Sequence, residues 1–259
     1  KSRSNDRFCY IMLRVLQILF AFSAFFYASL AHAADPTIVG TTINSANSEV
    51  TVTFSEDVFN ATGGSGDLQV GDFALSISGS GATIGAATPT SISKTSQTVW
   101  VLGFSTSGVA TGSETIEVVP VLNSIYDAAD NVAATSQSSN TAALNEKVVP
   151  IISGTTINSG NSLLTVTFAE NVYNATGGSG DLQVGDFALS ISGSGATIGA
   201  ATPTSISKTS QTVWVLGFST SGVATGSETI EVVPVLNSIY DAADNVAATS
   251  QSSNTAALN

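Results

Sequence analysis

The sequence predicts an all-β protein in which a secretory signal peptide precedes two tandem antiparallel β-sandwich domains. Three observations predict this arrangement: an apolar N-terminal run that ends in Ala-His-Ala, a long internal repeat, and short stretches in which apolar and polar residues alternate. Alternation with a period of two indicates strands with one buried face. No stretch after residue 33 keeps a helical apolar period, and Thr, Ser, Val and Gly are abundant, so we expect little helix.

Residues 1–33 have the layout of an export signal. Lys1, Arg3, Arg7 and Arg14 precede an apolar run over 15–30. Ala31-His32-Ala33 follows directly after this run. That run has 16 residues, which is short of the roughly 20 that a membrane-spanning helix needs. The alternative, a membrane anchor, is therefore disfavoured, and the Ala-x-Ala pattern predicts cleavage after Ala33. We expect an extracellular or cell-surface location and no transmembrane span.

The chain after Ala33 is strongly acidic and lacks several reactive residue types. It has three lysines against 18 acidic residues, a net charge of −15, and it has no His, Cys, Arg or Met. Such a surface repels nucleic acids and anionic lipids, so we expect no nucleic-acid partner. Nucleophilic triads and the usual zinc sites need His or Cys. We therefore predict that the chain is not an enzyme; the catalytic class that its residues leave open is a hydrolase with paired carboxylates.

A repeat of 114 residues organises the remainder of the chain. Pro36 aligns with Pro150, and residues 60–145 are identical to 174–259 at all 86 positions. A period of this length indicates whole domains in a string, because solenoid units are shorter. We assign the first domain to 34–145, a linker to 146–149 and the second domain to 150–259. The chain stops where another Glu-Lys-Val-Val-Pro linker would be due, so we expect neighbouring repeats of a longer array as partners.

Short candidate strands follow one another through each repeat. In the first repeat they lie at 37–43, 50–55, 73–78, 82–86, 90–93, 98–104, 115–119 and 133–138, and residues typical of turns separate them. About eight short strands in roughly 110 residues are typical of an antiparallel sandwich. The stretch 99–102 is apolar on both faces, which predicts a central strand or one whose outer face is covered by a neighbour.

Several of these segments resemble bacterial Ig-like repeat domains. The resemblance is carried by 52–58 (VTFSEDV), Asp72-Phe73, 113–116 (SETI) and 125–131 (IYDAADN), and it covers both repeats. The family is found in S-layer proteins and large surface adhesins. The resemblance implies two Ig-like sandwiches that serve as an adhesive or structural spacer, with cell-surface or matrix glycans or proteins as partners. Many members carry Gly where this chain has Asp130.

An Ig-like topology would bring the acidic loops of each repeat to one pole, which suggests a calcium site. Calcium accepts six to eight oxygen ligands from carboxylates, amides and carbonyls. The candidate ligands are Glu56, Asp57, Asp127, Asp130 and Asn131 in the first repeat, and Glu170, Asn171, Asp241, Asp244 and Asn245 in the second, with Glu146 nearby in the linker. Because Asn171 replaces an aspartate, weaker binding is expected in the second repeat. The alternative is a solvated loop in which Asp127 and Asn131 form side-chain turns and Asp130 faces water.

These observations lead to two functional hypotheses. The first is a secreted or surface-bound spacer, adhesive or structural, whose domain junctions are stiffened by calcium. The alternative is a pair of polysaccharide-binding accessory domains of a larger extracellular enzyme, in which Trp100 and Trp214 would face outward and stack on sugars. A Trp within a Val-rich strand is more often part of the core, which favours the first hypothesis.

Overall fold

The structure, a computed structural model, describes residues 34–259. The predicted signal peptide lies outside these residues. Each repeat folds as an antiparallel β-sandwich with its own hydrophobic core, one over 38–144 and the other over 152–258. Within residues 34–259, no helix is long and apolar enough to cross a membrane.

The first repeat contains nine strands. They are β1 (Ile38–Ile43), β2 (Glu49–Phe54), β3 (Phe73–Ser78), β4 (Ala82–Ile84), β5 (Ser91–Lys94), β6 (Val99–Gly103), β7 (Thr106–Gly108), β8 (Thr115–Pro120) and β9 (Thr141–Ala143). A single 3₁₀ turn, Val70–Asp72, precedes β3.

The second repeat contains the same elements. They are β10 (Ile152–Ile157), β11 (Leu163–Phe168), β12 (Phe187–Ser192), β13 (Ala196–Ile198), β14 (Ser205–Lys208), β15 (Val213–Gly217), β16 (Thr220–Gly222), β17 (Thr229–Pro234) and β18 (Thr255–Ala257). The equivalent 3₁₀ turn is Val184–Asp186.

Two main sheets and a short ribbon form each sandwich. In the first repeat one sheet has the order β1-β2-β6-β5, the other has the order β3-β8-β9, and β4 pairs with β7. All these pairs are antiparallel. The second repeat has the same order, with β10-β11-β15-β14, β12-β17-β18 and β13-β16. The chain of the first repeat enters where β1 begins and leaves after β9, at the opposite pole.

The period-two pattern places alternate side chains between the sheets. On β2, Val50, Val52 and Phe54 are buried, while Thr51 and Thr53 between them are half-buried. The rings of Phe54 and Phe73 lie 6.3 Å apart between centroids and connect the two sheets. Strand β6 lies between β2 and β5, so the prediction of a central strand from its two apolar faces is confirmed.

One predicted strand is wrong, and two strands, β7 and β9, escaped prediction. Residues 133–138 form no strand; instead Gln137 accepts a hydrogen bond from the amide of Ile38 through Oε1 and donates one to the carbonyl of Ala134. These side-chain bonds replace a backbone ladder there, and the last strand, β9, comes later. Strand β7 has only three residues and ends in glycine, so it shows no alternation that would identify it.

Candidate functional site

Most of the predicted ligands gather at the pole where the chain enters each repeat. We call this the entry pole; in the first repeat it includes loops 55–59 and 121–131. The opposite end, which we call the exit pole, includes the turn 44–48 and the loop 108–114. Backbone hydrogen bonds between Phe59 and Tyr126, both 2.8 Å, tie the two loops of the entry pole together. The Ig-like expectation that both acidic loops lie at one pole thus matches the geometry.

Asp127 organises the acidic loop of the first repeat from the inside. Its side chain is only 1% exposed. Its Oδ1 accepts hydrogen bonds from the amides of Ala129 and Asn131, both at 2.8 Å, and its Oδ2 accepts one from Asn131 Nδ2 at 2.6 Å. Asp241 makes the same bonds in the second repeat. The side-chain turn that the sequence offered as the alternative to a metal site is therefore present.

Asp130 ties this loop to a glycine-rich hairpin. Its Oδ1 accepts a hydrogen bond from the amide of Gly63 at 2.5 Å, and Asp244 bonds Gly177 in the same way. Asp130 has a φ of 68°, in the left-handed region that favours glycine. That backbone geometry explains why Gly suits the position in similar domains, while the bond to Gly63 gives the aspartate a local role.

Glu56 and Asp57 occupy the neighbouring loop of the entry pole. Burial raises the pKa of Glu56, and the nearby charges of Asp127 and Asp57 raise it further. Asp57 is exposed, as is its counterpart Asn171 in the second repeat. The first repeat therefore brings Glu56 and Asp127 into electrostatic contact and leaves Asp57 at the rim.

The entry pole of the second repeat receives an additional carboxylate from the linker. Asn245 Nδ2 donates a hydrogen bond to Glu146 Oε2, and the amide of Val148 donates to Glu146 Oε1. Burial raises the pKa of Glu146, and the adjacent Asp241 adds to the rise. Burial, followed by the charges of Asp241 and Glu146, raises the pKa of Glu170 to about 7. We call Glu146, Glu170, Asp241 and Asn245 the junction cluster.

The sequence analysis did not single out Glu114, although it is a central residue of the exit pole. Its side chain is buried, and it accepts hydrogen bonds from the amides of Gly81 (2.5 Å) and Thr111 (2.8 Å) and from the Thr111 hydroxyl (2.9 Å). Burial would raise the pKa of Glu114, but these hydrogen bonds outweigh it and lower the pKa to about 2. The alternation offered a signal, since Glu114 shares its strand face with buried Ile116 and Val118.

Comparison with known proteins finds similar chains among the solved structures. No family model matches the chain, and no curated protein matches it. The structure is similar to the crystal structure of the N-terminal part of the bacterial S-layer protein SbsC, with a TM-score of 0.32 and 17% sequence identity. That match covers 84% of this chain and 43% of the other, so the chain spans less than half of its neighbour. The likeness to Ig-like repeats rests on sequence segments such as 52–58 and 125–131.

Trp100 and Trp214 do not form a sugar-binding platform in this structure. Each is 1% exposed. The indole Nε1 of Trp100 donates a hydrogen bond to the carbonyl of Gln97 at 3.1 Å, and Lys94 Nζ lies 5.6 Å from the ring centroid. Both tryptophans are core residues, so the surface that the polysaccharide-binding alternative requires is not formed by them.

The acidic residues do not form a ready-made metal site. Among residues 34–259, no group of three or more His, Cys, Asp or Glu side chains is gathered in a geometry that could hold an ion. The oxygens of Asp127 and Asp130 already accept hydrogen bonds from their own loops. In the junction cluster, by contrast, burial and the charge of Asp241 raise the pKa of Glu146, and burial with the charges of Asp241 and Glu146 raises the pKa of Glu170. A cation at this point would require the side chains to move, and it would find oxygen donors of the kind that calcium prefers.

Proposed function

We propose that the protein is a non-catalytic spacer of the cell surface or extracellular space, in which each repeat adds a fixed length. The observation that carries the proposal is that the short linker is bonded to both of its domains. The amide of Lys147 donates to the carbonyl of Ala110 in the first repeat at 2.8 Å, while Glu146 accepts from Asn245 in the second. A linker held at both ends supports a stiff junction, because free linkers carry few such contacts.

The last residue of the first repeat, Asn145, is also held in place. Asn47 Nδ2 donates to the carbonyl of Asn145 at 2.7 Å, and the amide of Asn145 donates to Asn47 Oδ1 at 2.9 Å. This reciprocal pair fixes the last residue of the sandwich against the β1–β2 turn. The direction in which the linker starts is therefore set by the fold of the first repeat, which again supports a spacer of defined geometry.

We also propose that calcium stiffens the junction at the junction cluster. Burial and the nearby charges of Asp241 and Glu146 raise the pKa of Glu170 to about 7. Bound calcium would supply positive charge that offsets this repulsion. Glu146, Glu170, Asp241 and Asn245 supply the oxygens. The entry pole of the first repeat also brings Glu56, Asp57 and Asp127 near one another. The proposal places calcium at the junction, because a cation there would join the linker residue Glu146 to the second repeat.

The spacer proposal is tested by measuring the distance between the repeats. Residues 34–259 contain no Cys, so Ser93→Cys and Ser207→Cys, at equivalent exposed positions on β5 and β14, accept spin labels selectively. We expect a narrow distance distribution that Glu146→Ala broadens. If the distance distribution of the doubly labelled protein without Glu146→Ala is as broad as that expected for a flexible linker, the rigid spacer is excluded.

Calcium is tested with thermal melts of residues 34–259 in millimolar calcium and in chelator. A ligand at 100 times its dissociation constant adds about 2.7 kcal/mol to the stability of the state that binds it. We expect calcium to raise the melting temperature by several degrees in the wild type and in Glu56→Gln, but not in Glu170→Gln. An equal rise in melting temperature in all three proteins would show that calcium does not bind at the junction cluster.

A further inference from the structure

The exit pole of the first repeat is a contact surface for the linker. In its loop 108–114, the carbonyl of Ala110 accepts a hydrogen bond from the amide of Lys147, and Ala110 is only 4% exposed. A Cβ placed on Gly112 would lie 3.2 Å from the Cβ of Glu146, so glycine gives the linker room to approach. We call this loop, with the face that it turns to the linker, the exit surface.

The second repeat builds the same surface. Loop 222–228 has the sequence of loop 108–114, and the buried carboxylate of Glu228 holds it through Thr225 as Glu114 holds its counterpart through Thr111. The φ of Gly226 is 81°, the same as that of Gly112. The surface is therefore formed by the repeat itself and does not depend on the linker for its shape.

The exposure of equivalent residues shows how much of the surface the linker covers. Val109 is 53% exposed, whereas Val223 is 81% exposed. Ala110 is buried, whereas Ala224 is half-buried, and no atom lies within 4 Å of a Cβ placed on Gly226. The part of the exit surface that the linker covers therefore consists of the side chain of Val109, the carbonyl of Ala110 and Gly112, which leaves room for Glu146. We call this part the footprint.

We propose that loop 222–228 is a docking surface for an extended Glu-Lys-Val-Val-Pro segment, which would arrive at the head of another repeat of this type. The lysine amide would donate to the carbonyl of Ala224, and the glutamate would pass over Gly226. The occupant is identified by the bond between Lys147 and Ala110, which shows the same segment on an identical surface. A second copy of this chain is a poorer fit, since the residues that align with Glu146 and Lys147, His32 and Ala33, differ in type and belong to the predicted signal peptide.

The inference deepens the proposed spacer function and rests on it for its purpose, but the two can fail separately. The docking surface concerns the exit pole of the second repeat, whereas the spacer is judged by the distance between the labels on β5 and β14. Chelator is present in the docking experiment, so the outcome is independent of calcium.

The experiment appends Glu-Lys-Val-Val-Pro directly after Asn259 and compares it with a scrambled extension of the same composition. Amide hydrogen exchange is measured by NMR. We expect the amide of the appended lysine to exchange at least tenfold more slowly than that of the lysine in the scrambled extension. The methyl resonances of Val223 should also move toward those of Val109. Equal exchange in the two extensions would overturn the proposal.

A glycine variant provides the matched control. Gly226→Ala places its methyl group in open space in the unextended chain, at a φ of 81° that strains an L residue, and against the glutamate in the extended one. We expect it to remove the protection of the appended lysine, and its unextended form, melted separately, reports any cost to the fold. Protection that survives in Gly226→Ala would overturn the proposed footprint. The proposal would also be overturned if the appended lysine were unprotected and the methyl resonances of Val223 moved as dimers formed at higher protein concentration. The surface would then bind a second copy of the chain.

Discussion

The side-chain amide of Asn245 joins the carboxylate of Glu146 to that of Asp241, and so connects the linker to the acidic loop of the second repeat. Its counterpart Asn131 donates to Asp127 within its own loop. The two asparagines lie in identical stretches of sequence, and the additional bond of Asn245 is made by the linker residue Glu146. One residue type therefore closes a loop in the first repeat and joins two domains in the second.

Replacing this asparagine should affect the two repeats unequally. Asn131→Ala removes a bond inside a loop, whereas Asn245→Ala removes that bond and the one to Glu146. A hydrogen bond to a charged group contributes about 1.5–3 kcal/mol, less where solvent competes. We expect Asn245→Ala to lower the free energy of unfolding by about 1 kcal/mol more than Asn131→Ala, as measured by urea denaturation. Equal losses would mean that the bond between the linker and the second repeat contributes nothing to stability.

The junction should become less stable as the pH rises through neutrality. The pKa of Glu170 is raised from 4.5 to about 7 in the folded protein. Because the folded state holds this proton more tightly, the stabilisation is complete below pH 4.5 and is lost as the pH rises through about 7. Glu170 is partly exposed and solvent screens its interactions, so we expect a loss of about 1 kcal/mol between pH 5 and pH 8.

Two variants separate the causes of this pH dependence. Glu170→Gln should match the wild type near pH 5 and be more stable at pH 8, with a flatter profile. Glu146→Gln should flatten the profile in part, because it removes one of the charges that raise the pKa of Glu170. Urea midpoints at several pH values measure both effects. If the urea midpoint of the wild type did not decline above pH 5, the raised pKa of Glu170 would be contradicted.

The buried carboxylate of Glu114 should stabilise the exit pole except in acid. The pKa of Glu114 is lowered from 4.5 to about 2, so its stabilisation is complete above pH 4.5 and is lost as the pH falls toward 2. Glu114→Gln should lower the urea midpoint at pH 7, since an amide cannot accept bonds from all the donors around it. The deficit should shrink as the pH approaches 2. Glu49→Gln, an exposed carboxylate on β2, serves as the control and should change little.

Alternation and repetition in the sequence predict most of the sandwich, since buried residues such as Val50, Val52 and Phe54 recur with a period of two. Long-range side-chain bonds are harder to predict. Gln137 reaches Ile38 across 99 residues, and no local pattern identifies that contact. The acidic loops were predicted as a group, but which oxygens are already engaged depends on backbone amides such as that of Gly63. The junction cluster likewise depends on how the linker packs.

Asp130 offers a test of whether its side chain or its backbone angle matters more. Asp130→Gly relieves a left-handed backbone conformation that costs L residues roughly 1–2 kcal/mol, but it removes the bond to Gly63. Asp130→Ala keeps the backbone cost and also loses the bond. We therefore expect Asp130→Ala to be less stable than Asp130→Gly by about 1 kcal/mol, with the glycine variant near the wild type.

The same variants bear on calcium, because Asp130 was one of the predicted ligands. Its Oδ1 is engaged by the amide of Gly63 and it lies at the entry pole of the first repeat, away from the linker carboxylate Glu146. Asp130→Ala should therefore leave the calcium-dependent rise in melting temperature unchanged, while Glu170→Gln removes it. If Asp130→Ala abolished the rise instead, calcium would bind the acidic loop of the first repeat, and the bond to Gly63 would have to open to admit it.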